Sequence, residues 1–168
     1  QDLSDSLHLA RCAVNAEMMQ WNKHYIKKAS NPKTVHIIGG GIGGMEAARV
    51  LKLRGHNPVI HEKSDKLGGT FIPASAESYK GKLRDLLKWY IRQMKILGVE
   101  VKYNDEVKDV SAFGSEPVIV ATGAVPRQLK RVSGYEKMIE ACDFLNGREV
   151  GETVAVIGGG LTGSEIAY

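Results

Sequence analysis

The feature that most constrains this chain is a doubled glycine pattern. Nine of the nineteen glycines fall in two six-residue windows, Gly39 to Gly44 and Gly158 to Gly163. Each window follows a short β-branched run, Thr34-Val35-His36-Ile37-Ile38 in one case and Thr153-Val154-Ala155-Val156-Ile157 in the other, and each leads into helix-forming residues. Loops do not have this order, whereas a strand turning tightly into a helix does. The first window matches G-x-G-x-x-G as Gly39, Gly41 and Gly44, with Gly40, Ile42 and Gly43 between them, and Glu62 closes the next strand about 20 residues on. The first glycine permits the tight turn, the second lets a pyrophosphate approach the backbone, and the third lets helix and strand pack closely. Phosphates then face a helix N-terminus, where free N–H groups and the macrodipole favour anions. Glu62 is expected to accept hydrogen bonds from adenosine ribose hydroxyls, and its charge would repel a 2'-phosphate. The second window repeats the pattern as Gly158, Gly160 and Gly163, followed by Ser164 and Glu165; the residue that would read its ribose lies beyond Tyr168.

Between the windows, strand and helix signals alternate. Met45 to Arg54 reads as a helix closed by Gly55, and Pro58 to Glu62 as the second strand. Leu67-Gly68-Gly69-Thr70 is a glycine-bearing loop, and a long helix runs from about Lys82 to Leu97, stopped by Gly98. Val99, Val101 and Tyr103 alternate as a third strand, Val107 and Val110 suggest a short strand or hairpin arm, and Pro117 to Ala121 forms another strand ending in Thr122-Gly123. This alternation predicts an α/β fold, a Rossmann-like doubly wound parallel sheet, ending at the start of a second dinucleotide-binding domain. From Ala124 to Glu152 the pattern weakens to a connector with one short helix near Asp143. Past Gly163 there is room for barely one helical turn, too little to bury an apolar face. With no methionine at position 1, both ends are expected to be cuts through a longer polypeptide.

Composition excludes several classes. Apolar residues make up 43% and charged residues 25%, ordinary values that argue against disorder. The apolar runs, such as Val118 to Ala121, are far shorter than the ~20 residues of a membrane span, and Gln1 to Ser6 has no secretory character. A cytoplasmic setting is expected. The formal charge of +4 is concentrated in Lys80 to Lys95, where six basic residues face Asp85 alone. Because they alternate with Leu83, Leu86, Leu87, Tyr90, Ile91 and Met94 at helical spacing, they read as the solvated side of an amphipathic helix, and no nucleic-acid partner is expected. Cys12 and Cys142 form no CxxC or zinc pattern. His8, His24, His36, His56 and His61 show no ligand spacing, and each is expected to stand alone. Met45, Ala47 and Ala48 are expected to be packing residues.

The stretch from Val35 to Tyr168 resembles the two-dinucleotide flavoproteins. The resemblance is carried by GGGIGGMEAA at residues 39–48, His61-Glu62-Lys63, Leu67-Gly68-Gly69, Val118-Ile119-Val120-Ala121-Thr122-Gly123 and GGGLTGSE at residues 158–165. It implies FAD in the first site and NAD(P)H in the second. By the same resemblance Gly69 and Thr70 approach the flavin phosphates or ribityl chain, Lys63 and Val107 border the adenine, and Ala121, Thr122 and Gly123 close over the dinucleotide. The redox cysteine pair of the disulfide reductases is missing, since Thr70-Phe71-Ile72-Pro73 follows Gly69 and Cys142 is alone before the second fingerprint. Cys142 is expected to be a small buried hydrophobe.

Arg11-Cys12-Ala13-Val14-Asn15 is similar to the C-x-V-N-P element of the old yellow enzyme-like reductases that carry an iron–sulfur cluster, the 2,4-dienoyl-CoA reductase, 2-enoate reductase and trimethylamine dehydrogenase group. Ala16 departs from it where that group usually has proline. The similarity makes Cys12 a metal ligand, the last of four, the others lying outside this chain. It also divides the chain into an arm at the end of an iron–sulfur region (residues 1–33), an FAD-binding domain (34–125), a connector (126–152) and the opening of an NAD(P)-binding domain (153–168). The parent is then expected to pass electrons from NAD(P)H through FAD to an iron–sulfur and FMN-barrel module that reduces an activated C=C bond. The alternatives are a non-catalytic ADP-binding module and a different two-dinucleotide flavoprotein reductase in which Cys12 is coincidental.

Overall fold

A computed structural model describes Cys12, Val14, Asn15, Met18 and residues 25–127 and 129–168. Four strands, β1 (Thr34–Ile38), β2 (Asn57–Glu62), β3 (Glu100–Tyr103) and β4 (Val118–Val120), form one parallel sheet in the order β3-β2-β1-β4. Helix α1 (Ile42–Leu53) links β1 to β2 and α3 (Gly81–Ile96) links β2 to β3, while α2 (Phe71–Ala74), α4 (Ala141–Leu145) and α5 (Leu161–Ala167) are short. The sheet grows outward from β1 in both directions, with β2 and β3 on one side and β4 on the other. The predicted Rossmann-like α/β fold is therefore the fold found.

The β-branched runs explain the strands. Ile37 and Ile60 are fully buried on the face toward α1 and α3, where Met45, Ala48, Leu67 and Met94 complete the core. Burying each large apolar side chain contributes roughly 1.5 to 3 kcal/mol. Met45 and Ala48 are the packing residues expected, with Ala47 partly buried beside them. Of the basic segment, Lys82, Lys88, Arg92 and Lys95 lie exposed on α3, whose Leu87, Tyr90 and Ile91 pack on the core, while Lys80 precedes the helix and both it and Arg84 are half-buried. Both long helices end in a paired cap: His56 N–H donates to Leu51 and Gly55 N–H to Lys52, and Val99 N–H to Met94 and Gly98 N–H to Lys95.

Arg84 holds the approach to α3. Its guanidinium donates to the carbonyls of Ser75 (2.8 Å) and Ser78 (2.9 Å), and also to Glu77. The Arg84→Ala variant is expected to lose about 1 to 2 kcal/mol of stability, because several carbonyls lose a charged donor. Faster amide exchange at residues 76–80, with the sheet unaffected, is the check.

Three expectations need correction. Val107 lies in irregular chain, and Val110–Phe113 is a 3-10 turn, because Asp109 accepts from the Ser111 N–H (2.8 Å) and hydroxyl (2.7 Å) and bends the backbone away from a strand. Those bonds, the hydroxyl's first, hold the Asp109 carboxyl below its ordinary range. A depressed carboxyl stabilises the turn above the ordinary range, and this contribution is lost as pH falls through the folded value. Thr153–Ile157 pairs with no strand among the described residues, and Val154, Val156 and Ile157 are 54%, 44% and 65% exposed; a strand requires an adjacent strand, which periodicity does not supply. His36 and His61 do not stand alone: their rings meet at 2.8 Å, because the register of β1 on β2 sets Ile38 opposite His61 and points both histidines to the same face. His56 accepts from the Lys33 N–H, and His8 and His24 lie outside the described residues.

Candidate dinucleotide site

In a parallel sheet the ligand crevice forms where strand order reverses, at the carboxyl ends of the strands. Here that point lies between β1 and β4, and the first glycine window leaves β1 there. Gly39 turns with φ 105° and donates its N–H to the His61 carbonyl at 2.8 Å. A Cβ on Gly39 would stand 2.4 Å from the Ala121 carbonyl oxygen, so glycine is what allows the ends of β1 and β4 to touch. A Cβ on Gly44 would stand 1.9 Å from the Gly39 oxygen, and one on Gly40 would strike Leu67 and Glu62. Backbone packing requires glycine at 39 and 44, and at 40 the Leu67 and Glu62 side chains would have to move.

Gly41 and Gly43 are different. Gly41 has ordinary extended backbone (φ −71°, ψ −175°), and a Cβ on either residue would meet nothing within 4 Å. Among the described residues nothing asks for glycine there. Gly41 starts α1, which has no side-chain cap and no acidic residue in its first turn, so the amides of Ile42, Gly43 and Gly44 lack helical acceptors. The lip opposite is the Gly68–Gly69 turn, joined by Gly68 N–H to the Gly40 carbonyl at 2.9 Å; a Cβ on Gly69 would stand 3.3 Å from Gly41 Cα. An open cradle lined by backbone amides fits a pyrophosphate.

Glu62 is buried, 6% exposed, at the end of β2. Its Oε2 accepts from Gly40 N–H at 2.7 Å, and its Oε1 from the Ser64 N–H (2.9 Å) and hydroxyl (2.7 Å). These donors suit a carboxylate and fix it beside the glycine turn. Ser64 was not singled out from sequence; a serine two residues past the strand's terminal acid was the available signal.

The other expected residues divide. Ala121 meets Gly39, while Thr122 and Gly123 continue exposed from β4. Gly69 lies on the lip, Thr70 and Lys63 are exposed nearby in sequence, and Val107 is half-buried in the loop after β3. The second window copies the first locally: Gly158 has φ 115°, Gly160 has φ −77° and ψ −174°, and a Cβ on Gly163 would stand 1.8 Å from the Gly158 oxygen. Glu165 is bound to Lys80 Nζ at 2.7 Å, and that hydrogen bond raises the Lys80 pKa above its ordinary value. Cys12 is half-buried in a turn closed by Asn15 N–H on its carbonyl (3.3 Å), and among the described residues no group of three potential ligands could hold a metal. Cys142 is half-buried, not fully buried, and lines an open cavity of about 490 Å³ with Val125, Pro126, Lys130, Glu140 and Asp143. No helix among the described residues is long and apolar enough to cross a membrane.

A parallel sheet with a glycine fingerprint at its reversal point and an acid closing the second strand defines a Rossmann-like dinucleotide-binding module. The chain belongs to the pyridine nucleotide-disulphide oxidoreductase family, whose model matches residues 33–168. It is 43% identical over 159 residues to a cinnamate reductase of Clostridium sporogenes, covering 93% of this chain and 24% of that protein. To an NADH oxidase of Thermoanaerobacter brockii it is 36% identical over 168 residues, covering 94% and 26%. A solved 2-naphthoyl-CoA reductase complex superposes with a TM-score of 0.83 at 30% identity, over 93% of this chain and 24% of that one. The chain thus spans about a quarter of the length of these relatives. Reductases of this kind are the group that the fingerprints and the Cys12 element resemble.

Proposed function

We propose that this chain is the FAD-binding portion of an NAD(P)H-dependent flavin oxidoreductase acting on activated C=C bonds, of the 2-enoate or 2,4-dienoyl-CoA reductase kind. The observation that carries this reading is the open cradle at Gly41 and Gly43, built where no packing contact requires glycine, with buried Glu62 beside it. Backbone amides of Ile42 to Gly44 would take the pyrophosphate, Glu62 the ribose hydroxyls, Lys63 and Val107 the adenine edge, and Gly69, Thr70 and Ala121 to Gly123 the flavin half. Gly158, Gly160, Gly163 and Glu165 are assigned to the NAD(P)H side. Held in the first cradle, FAD would supply the redox chemistry between NAD(P)H and an iron–sulfur and FMN module in other domains of the parent, for which Cys12 would be one cluster ligand. The protein's share is binding and orientation. A cytoplasmic setting is part of the same reading.

ADP is the second reading, favoured because the pyrophosphate and ribose anchors, Ile42 to Gly44 and Glu62, lie within the single β1-α1-β2 unit and serve ADP as well as FAD. The visible spectrum of the purified full-length protein separates the two, since ADP has none. Glu62→Ala is expected to weaken FAD or ADP binding by roughly 1.5 to 3 kcal/mol, the scale of hydrogen bonds to a charged group. Calorimetric titration measures it, and unchanged affinity would remove Glu62 from the site.

A further inference from the structure

Behind the glycine turn, on the sheet face opposite α1 and α3, four polar side chains form a continuous chain. Glu116 Oε2 lies 2.8 Å from His36 Nε2, His36 Nδ1 lies 2.8 Å from His61 Nε2, and His61 Nδ1 lies 2.7 Å from Asp105 Oδ2. The histidine side chains are 11% and 4% exposed, and Phe113 stacks on His36 with ring centroids 4.1 Å apart. Lys102 and Glu100 of β3 lie on the same face by register but make only a 3.9 Å contact with each other.

The proton count follows from the donors. Ionised carboxylates only accept, so each terminal contact requires a ring N–H, on His36 Nε2 and on His61 Nδ1. The central contact requires one more proton, on His36 Nδ1 or on His61 Nε2. Two neutral rings supply two protons in all. With only two, a pair of lone pairs would face one another at hydrogen-bond distance in a buried site, which is costly.

We propose that His36 and His61 share one extra buried proton, a single positive charge held between Glu116 and Asp105, and that this charged pair is a positioning device for Gly39 and Glu62. The link runs through the main chain: the His61 carbonyl accepts from Gly39 N–H at 2.8 Å, and Asp105, which binds the His61 ring, donates its own N–H to the Glu62 carbonyl at 2.9 Å. Phe113 presents its ring face to His36, a placement that favours a cation. The positioning role rests on the nucleotide reading given above; the shared proton does not.

The test is nitrogen-15 magnetic resonance of histidine ring nitrogens in the protein at neutral pH, alongside ADP titration of the same samples. The expected spectrum gives three ring protons for the coupled pair, falling to two in Glu116→Gln, which keeps the side-chain shape and an acceptor but removes the charge. ADP affinity should fall roughly three- to tenfold in Glu116→Gln and in Asp105→Asn, the range of coupling within one hydrogen-bond network. Glu100→Gln, on the same face but outside the chain, should leave it unchanged. Two protons on the wild-type pair would overturn the shared charge. Three protons with unaltered affinity in both variants would overturn the positioning role. Absence of ADP binding by the wild type would instead defeat the nucleotide site, and positioning with it, while the spectrum still decides the proton.

Discussion

Gly44→Ala is expected to cost the domain about 3 to 5 kcal/mol, a large part of the whole stability of a typical domain. The added Cβ would lie 1.9 Å from the Gly39 carbonyl oxygen, and that oxygen is backbone in the turn that joins β1 to α1. Relief requires moving α1 off the sheet, and α1 carries Met45 and Ala48 of the core. Two controls isolate the cause. Gly43→Ala, one residue earlier and facing open space, should be neutral or gain up to about 1 kcal/mol from helix propensity. Gly163→Ala meets the same clash at 1.8 Å, but next to a run that pairs with no strand among the described residues, so its effect on the urea midpoint should be small. Equal midpoints for Gly44→Ala and Gly43→Ala would refute this account.

Gly41→Val should separate binding from folding. Its backbone is ordinary and its Cβ would meet no atom within 4 Å, so stability should fall by no more than about 1 kcal/mol, the loss of a tolerated helix-capping residue. A branched side chain would nevertheless fill the cradle over the first turn of α1 and hold a pyrophosphate away from its amides. FAD or ADP affinity should fall by about 3 kcal/mol or more, on the order of a hundredfold. Calorimetry and thermal unfolding of the same preparation supply both numbers. Undiminished affinity would mean that phosphates do not approach at Gly41.

What the sequence disclosed was local, and what it withheld depended on pairing across distance. Gly39, Gly41, Gly44 and Glu62 declare themselves because strand, turn and helix are consecutive and each glycine has its own reason. Helix ends at Gly55 and Gly98 are visible for the same cause. By contrast, nothing in the spacing of His36 and His61 reveals that they touch; that needs the β1–β2 register, which brings Ile38 opposite His61. Ser64 and Arg84 were missed because they act on backbone or carboxylate groups and follow no periodic pattern. Val107 and Val110 misled because β-branched residues imply a strand only where a neighbour accepts the pairing, and Asp109 had already committed that stretch to a turn.

The likeness of the two glycine windows bears on the order in which the chain organises itself. Gly158 to Gly163 adopts the bend and helix start of Gly39 to Gly44, down to the sub-2 Å approach at its last glycine, although no strand among the described residues pairs with the run before it. The bend thus forms without strand pairing, although the helix that follows it is tied through Glu165 to Lys80. Contacts so close in sequence lose little loop entropy on forming and can assemble on the microsecond scale of single turns. The glycine elbow can thus precede the parallel strand pairing, which joins Thr34 to Asn57 and must wait for the slower closure of α1 between them.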